Sequence, residues 1–145
     1  MIKTFTLSEI PKIADSLVKE INKKKSKNAT IVTFSGDLGA GKTTLTKEIA
    51  KILGVKREIV SPTFVIMKRY EIKNSNFKNL IHIDAYRLKN GGELALLGWE
   101  EMKKNKDNLI IIEWPEMIAD GLFDITHEIV LSHKDDNTRS IEILL

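Results

Sequence analysis

Two periodicities of apolar and polar residues alternate along the first half of the chain, and they predict strands interspersed with helices. Residues 2–7 alternate weakly, as in a short strand, and Ser8 then caps a helix that ends in a lysine-rich stretch. The apolar face of this helix has helical spacing: Ile10, Ile13, Leu17, Val18 and Ile21. The β-branched run at 29–35 predicts a buried parallel strand, and a second helical pattern follows it as far as Gly54.

The second half of the chain contains further strand-like runs. An extended stretch is expected at 63–72, and the apolar runs 80–83 and 109–112 end in Asp84 and Glu113. Short helices are predicted from Gly91 through Leu94, Leu97 and Met102, and again over 116–122. The last two runs, 127–132 and 139–145, flank a polar turn and predict a hairpin.

Strands that alternate with helices predict an α/β fold, because each parallel strand pair needs a crossover that covers a face of the sheet. We expect a three-layer domain with a central mixed β-sheet, since the terminal hairpin adds antiparallel pairing. With 145 residues, 42% of them hydrophobic, the chain suits one domain over residues 1–145.

The composition of the chain excludes several classes of function. The chain has no cysteine, which excludes disulfides, thiolate metal sites and cysteine nucleophiles. No apolar run approaches the roughly 20 residues of a membrane span, so we expect a cytoplasmic protein with no membrane partner. The net charge of +3 comes with two lysine clusters, which either form solvated faces or attract nucleic acid or an acidic protein. Their members are Lys19, Lys23, Lys24, Lys25 and Lys27, and Lys103, Lys104 and Lys106.

A phosphate-binding loop lies between the second strand and the second helix. It has the pattern G-x-x-x-x-G-K-[ST] and comprises Gly36, Asp37, Leu38, Gly39, Ala40, Gly41, Lys42 and Thr43. Glycines let the backbone N–H groups converge on phosphates, and the following helix adds partial positive charge. We expect Lys42 to reach the β- and γ-phosphates and the Thr43 hydroxyl to ligate Mg²⁺. A mere glycine-rich turn is the alternative interpretation, which the strand and helix on either side disfavour.

Two acids are candidates for holding the metal ion or for a separate role beside the γ-phosphate. Glu113 follows four consecutive apolar residues, and Asp84 follows a run that contains His82. Parallel strands that flank the loop strand end at the same edge of the sheet, so both acids can approach the γ-phosphate. For either acid the alternative is a helix cap or a surface ion pair.

Other residues near these motifs give weaker signals. The segment Ser61, Pro62, Thr63 and Phe64 follows the second helix, where Thr63 could sense the γ-phosphate, although a simple proline turn is the stronger interpretation. His82 is more often a structural hydrogen-bond donor in such a position. Trp99 is expected to pack in a core, whereas Trp114 could lie near the nucleotide. Arg87 could meet a phosphate, an RNA backbone or a partner's acid, or form an exposed ion pair.

Four motifs taken together resemble one family. They are Gly-Asp-Leu-Gly-Ala-Gly-Lys-Thr-Thr at 36–44, Ser-Pro-Thr-Phe at 61–64, His-Ile-Asp-Ala-Tyr-Arg-Leu at 82–88 and Ile-Glu-Trp-Pro-Glu at 112–116. In order and spacing they resemble the bacterial TsaE (YjeE) family, the ATPase component of tRNA threonylcarbamoyladenosine (t6A) biosynthesis.

The resemblance implies a P-loop ATPase, weak by itself, that works with TsaB and TsaD on adenosine 37 of tRNA and meets tRNA at least indirectly. It implies that Lys42 and Asp84 serve hydrolysis and that Thr43 and Glu113 hold Mg²⁺. Together with the candidates above, the expected ATP-binding set is residues 36–44, which include Thr44, and also Thr63 and Trp114.

Two other classes of phosphate-loop protein remain as alternatives. A small kinase would pass the γ-phosphate to a small molecule or nucleotide, but such kinases usually carry an arginine-rich lid, which is not evident here. A GTPase needs Asn-Lys-x-Asp to read guanine, and neither Asn105-Lys-Asp-Asn108 nor Asn22-Lys-Lys-Lys25 has the final aspartate.

Overall fold

The structure is a computed structural model that describes residues 2–23, 26–37, 40–56, 66–73, 75–122 and 124–144. The strands are β1 (Ile2–Thr6), β2 (Thr30–Ser35), β3 (Met67–Glu71), β4 (Asn79–Asp84), β5 (Asn108–Glu113), β6 (His127–His133) and β7 (Thr138–Leu144). The α-helices are α1 (Ile10–Lys23), α2 (Lys42–Ile52) and α3 (Trp99–Lys104). Three 3-10 segments complete the described elements: Leu7–Glu9, Gly91–Leu97 and Pro115–Gly121.

The seven strands of the described residues form one sheet in the order β1-β7-β6-β2-β5-β4-β3. The central strand β2 pairs in parallel with β5 on one side and with β6 on the other, and β4 pairs in parallel with β5. The pairs β3–β4, β6–β7 and β1–β7 are antiparallel. The predicted mixed sheet and the terminal hairpin are therefore confirmed.

Helices cover both faces of the sheet because its central strands are apolar on both sides. On one face, α1 and α2 pack against residues such as Val32 and Phe34 of β2. On the other face, α3 and two 3-10 segments pack against residues such as Ile110 and Ile112 of β5. This is the predicted three-layer arrangement. Among the described residues, no helix combines the length and the apolar character that crossing a bilayer requires.

Three local predictions need correction. Ser8 lies inside the 3-10 turn that precedes α1, and the capping contact is instead a hydrogen bond from the Thr6 N–H to Glu9 Oε1 at 3.0 Å. The helix expected from Gly91 through Met102 is broken at Gly98, whose φ of 81° ends the 3-10 segment before α3 begins. In the extended stretch expected at 63–72, the strand covers only Met67–Glu71, and 63–65 lie outside the described residues.

Candidate functional site

The phosphate-binding loop connects β2 to α2 at the carboxyl edge of the sheet. Gly36 has φ of 142°, and a Cβ there would lie only 2.2 Å from the Leu131 carbonyl oxygen, so the position excludes every larger residue. Gly41 has φ of 105° and directly precedes the first residue of α2. The Ala40 N–H donates to the Asp37 carbonyl at 3.1 Å. Leu38 and Gly39, the other two loop residues of the prediction, lie outside the described residues.

Lys42 begins α2 and turns its side chain back into the loop. Its ammonium group donates a hydrogen bond to the Gly36 carbonyl and lies 3.7 Å from the centroid of the Trp114 ring. Only 6% of Lys42 is exposed, and this burial lowers the pKa of its ammonium group. Four acids oppose the shift by favouring the charged form: Glu113, Glu116, Asp84 and Asp37. A cation surrounded in this way is available to a phosphate that replaces its present contacts.

Glu113 ends β5, the strand next to β2, and faces the start of α2. The Thr43 hydroxyl donates to Glu113 Oε1 at 3.1 Å, and the other carboxylate oxygen contacts His82 Nε2. Glu113 is 3% exposed, so these hydrogen bonds stabilise a carboxylate that water barely reaches. The predicted pair of Thr43 and Glu113 is thus brought together.

Asp84 ends β4 in register with Glu113, on the same edge of the sheet. The prediction that both acids end strands flanking β2 was wrong, because β5 lies between β2 and β4. Asp84 Oδ1 accepts a hydrogen bond from the Tyr86 N–H at 3.0 Å. Burial raises the pKa of the Asp84 carboxyl, Glu113 adds to the rise, and the hydrogen bond from Tyr86 opposes it. Asp84 therefore lies one strand farther from the loop than Glu113.

Trp114 follows β5 in a left-handed conformation, with φ of 59° and ψ of 50°. This conformation is uncommon for a residue other than glycine, and here it accompanies a ring that lies over Lys42. The Tyr86 ring packs against the Trp114 ring with centroids 5.0 Å apart. Trp114 is therefore part of the site, whereas Trp99, the first residue of α3, is buried in the core, as expected.

The remaining predicted residues are either exposed at the surface or outside the described residues. Thr44 is exposed on α2, and Arg87 is exposed beyond Asp84. Thr63, with the whole segment 61–64, lies outside the described residues. The contacts of His82 with Glu113 and of Tyr86 with Trp114 were missed. Strand alternation could have indicated the first, because His82 and Asp84 are two residues apart and so share one face of β4.

The donor set at Thr43 and Glu113 fits Mg²⁺, which prefers oxygen ligands at about 2.0–2.1 Å in octahedral geometry. Adjacent ligands of such an ion are about 3 Å apart, close to the 3.1 Å between Thr43 Oγ1 and Glu113 Oε1. Among the described residues, no cluster of three or more His, Cys, Asp or Glu side chains could hold a metal ion. The two protein oxygens, Thr43 Oγ1 and Glu113 Oε1, suit an octahedral ion that takes its other ligands from phosphate and water.

The crystal structure of Bacillus subtilis YdiB is similar to this chain, with a TM-score of 0.66 and 29% sequence identity. The match covers 97% of this chain and 84% of that one. Together with the sheet order and the loop between β2 and α2, this similarity supports a P-loop NTPase-like fold.

Sequence relatives extend over most of the chain and share one name, tRNA threonylcarbamoyladenosine biosynthesis protein TsaE. The Rickettsia felis protein is 44% identical over 115 residues, which are 79% of this chain and 64% of the relative's own length. The Bacillus subtilis protein is 37% identical over 116 residues, covering 80% and 70%. The Haemophilus influenzae protein is 34% identical over 133 residues, covering 92% and 78%.

The chain therefore spans a little under two thirds of the length of its Rickettsia felis relative. A family model described as "Threonylcarbamoyl adenosine biosynthesis protein TsaE" matches residues 6–141, which include all four motifs. With relatives above 30% identity and a match over nearly its whole length, the chain belongs to the TsaE family.

Proposed function

We propose that this chain acts as one domain over residues 1–145 and is a P-loop ATPase of tRNA t6A biosynthesis that works with TsaB and TsaD. The observation that carries the proposal is the hydrogen bond between Thr43 and Glu113 beside a buried Lys42. A cation, a hydroxyl and a carboxylate at the start of a glycine-loop helix form the arrangement that Mg²⁺ and a triphosphate require. The names of the relatives support the pathway.

Each residue has a distinct task in this proposal. Residues 36–44 bind the phosphates of ATP through backbone N–H groups, and Lys42 releases the Gly36 carbonyl to face the β- and γ-phosphates. Thr43 and Glu113 hold Mg²⁺, which when bound neutralises charge that develops on the phosphate oxygens. Trp114, whose ring lies over Lys42, contacts the nucleotide.

Asp84 is the residue to which we assign hydrolysis. Its raised pKa reflects a half-buried carboxyl beside Glu113, and perturbed acids of this kind are suited to accept a proton or orient water. Glu113 is closer to Thr43 and is already engaged there. We therefore keep the metal role for Glu113 and the hydrolytic role for Asp84.

A small kinase, the other class that the loop allows, is not favoured, since the family is described by threonylcarbamoyl adenosine biosynthesis. We further propose that tRNA is reached at least indirectly through the complex and that the protein works in the cytoplasm. TsaB and TsaD raise its slow ATP turnover, and the segment 61–64 acts as a switch that responds to the γ-phosphate, as in many nucleotide-dependent proteins, with Thr63 as its sensor.

The test compares the purified protein alone with the protein mixed with TsaB and TsaD, measuring ATP hydrolysis in Mg²⁺ buffer. We expect slow turnover alone, stimulation by the partners, and blunted stimulation in Thr63→Ala with ATP binding largely retained. Lys47→Ala, on an exposed position of α2, is the matched control and should behave as the unmodified protein.

A free protein that is as fast as the mixture contradicts the dependence on partners. Transfer of the γ-phosphate to a small acceptor instead of water favours the kinase. Full stimulation in Thr63→Ala removes the sensor role of Thr63 and leaves the ATPase proposal standing.

A further inference from the structure

His82 is a polar residue near the site that is fully buried, with 0% exposure. It lies in the middle of β4, two residues before Asp84, on the face that α2 covers. Its Nε2 atom contacts Glu113 Oε2. Such a placement brings an imidazole directly behind the carboxylate that faces Thr43.

The two oxygens of the Glu113 carboxylate are held from two directions. Oε1 accepts a hydrogen bond from the Thr43 hydroxyl at 3.1 Å, and Oε2 contacts the His82 ring. Thr43 is farther from Oε2, at 3.5 Å. A carboxylate anchored at one oxygen cannot rotate freely, so the other oxygen keeps a fixed direction towards the start of α2.

The second ring nitrogen of His82 indicates where its proton lies. Nδ1 is buried and has no hydrogen-bond partner among the described residues. An N–H group at Nδ1 would be buried without an acceptor, which carries a desolvation cost. The ring nitrogen that donates a hydrogen bond to Glu113 is therefore Nε2, as an N–H group.

We propose that His82 is a positioning residue: its Nε2–H group holds Glu113 Oε2, so that Oε1 is presented beside Thr43 as a ligand for Mg²⁺. The proposal rests on the metal role assigned to Glu113 above. Ring N–H groups and carboxylates behind metal ligands orient the ligands in this way, and their loss typically costs roughly 10–100-fold in metal affinity or activity.

The test measures the Mg²⁺ concentration needed for half-maximal binding of the fluorescent analogue mant-ATP. His82→Leu removes the donor and should raise this concentration about tenfold or more. His82→Gln places an amide N–H near the position of Nε2 and should recover most of the loss. His127→Gln is the control for removal of a buried histidine, because His127 begins β6, pairs with Val32 rather than with the end of β2 beside the loop, and should leave the Mg²⁺ dependence unchanged.

A second measurement does not depend on nucleotide or on how well the variants fold. Long-range ¹H–¹⁵N correlation spectra of the unmodified, nucleotide-free protein report which ring nitrogen of His82 carries the proton. We expect the Nε2–H form. A proton on Nδ1 alone overturns the proposal, as does an unchanged Mg²⁺ requirement in His82→Leu.

Glu113→Gln separates the two levels of the proposal. If this substitution raises the Mg²⁺ requirement and His82→Leu does not, the positioning role of His82 is wrong and the metal role of Glu113 stands. If Glu113→Gln also leaves the requirement unchanged, the metal role itself is wrong and the positioning proposal is overturned with it.

Discussion

The hydroxyl of Thr43 donates to Glu113 Oε1 at 3.1 Å, although 70 residues separate the two in the chain. The contact follows from the order of strands, because β5 lies beside β2 and both end at the edge where α2 begins. Residues from a loop and from a neighbouring strand thus meet at the place that we propose binds a triphosphate and its metal ion.

Lys42→Ala is expected to lower ATP turnover strongly. The substitution removes the cation that we propose faces the β- and γ-phosphates, and loss of one such group typically costs roughly 10²–10³-fold in rate. Turnover is measured with TsaB and TsaD present. Lys47→Ala removes an exposed lysine from the same helix and should change little. Equal activity of Lys42→Ala and the unmodified protein would contradict the phosphate-loop assignment.

Glu113→Gln and Asp84→Asn should affect different steps. If Glu113 holds Mg²⁺, its neutral isostere should raise the Mg²⁺ concentration required for ATP binding about tenfold or more. Asp84→Asn should leave binding within a few-fold and slow single-turnover hydrolysis roughly 10²–10⁴-fold, as expected for loss of a general base. The opposite pattern would mean that the two assigned roles must be exchanged.

Gly36→Ala should destabilise the protein more than Gly41→Ala. Both glycines have positive φ, so alanine at either position adds a conformational cost of about 1–2 kcal/mol. At Gly36 the new methyl group also meets the Leu131 carbonyl, whereas at Gly41 it enters open space. The collision adds about 1–3 kcal/mol. Urea unfolding of the two nucleotide-free variants measures the loss of stability in each. Equal losses would show that the close approach to Leu131 does not contribute to stability.

Trp114 should report the entry of a nucleotide. In the free protein the Lys42 ammonium lies 3.7 Å from the Trp114 ring centroid, and a phosphate that recruits Lys42 removes this cation. In a Trp99→Phe background, in which Trp114 is the one remaining tryptophan, a non-hydrolysable ATP analogue should therefore change the emission. Lys42→Met should show altered emission before any nucleotide is added. Emission that is identical in both proteins, with and without the analogue, would speak against the contact.

Local sequence was enough to predict most of the fold. Each central strand is a run of apolar residues, as in β5, and such a run by itself indicates a buried strand. The glycine pattern between a strand and a helix by itself indicates a phosphate-binding loop. The helix expected through Met102 was wrong because a single left-handed residue, Gly98, breaks it. A pattern of apolar spacing does not reveal that break.

The site was harder to predict because its contacts are not local. The sequence indicated that Asp84 and Glu113 end buried strands, but not that β5 separates β4 from β2. The contact of His82 with Glu113 spans 31 residues, and that of Lys42 with Trp114 depends on a left-handed backbone at Trp114. Each depends on strand order or on local backbone geometry that only the folded chain provides.

Asp84→Asn should also change how the stability of the nucleotide-free protein depends on pH. Burial raises the pKa of the Asp84 carboxyl in the folded state. The folded state then binds this proton more tightly than the unfolded chain does. Stability from this group is therefore fully present below the unfolded pKa and declines as pH rises through the raised folded pKa. Asparagine keeps the acceptor for the Tyr86 N–H and does not ionise, so the variant should escape that decline.

Asp135→Asn is a control of opposite sign, because hydrogen bonds from Asn137 and Thr138 lower the pKa of Asp135. Stability from Asp135 is present above its unfolded pKa and is lost as pH falls through the lower folded value. Urea unfolding is measured from acid to neutral pH. As pH rises, the stability of Asp84→Asn relative to the unmodified protein should increase, and that of Asp135→Asn should decrease. Parallel curves for Asp84→Asn and the unmodified protein would mean that folding does not perturb Asp84. The raised pKa of Asp84 would then no longer support its assignment to hydrolysis.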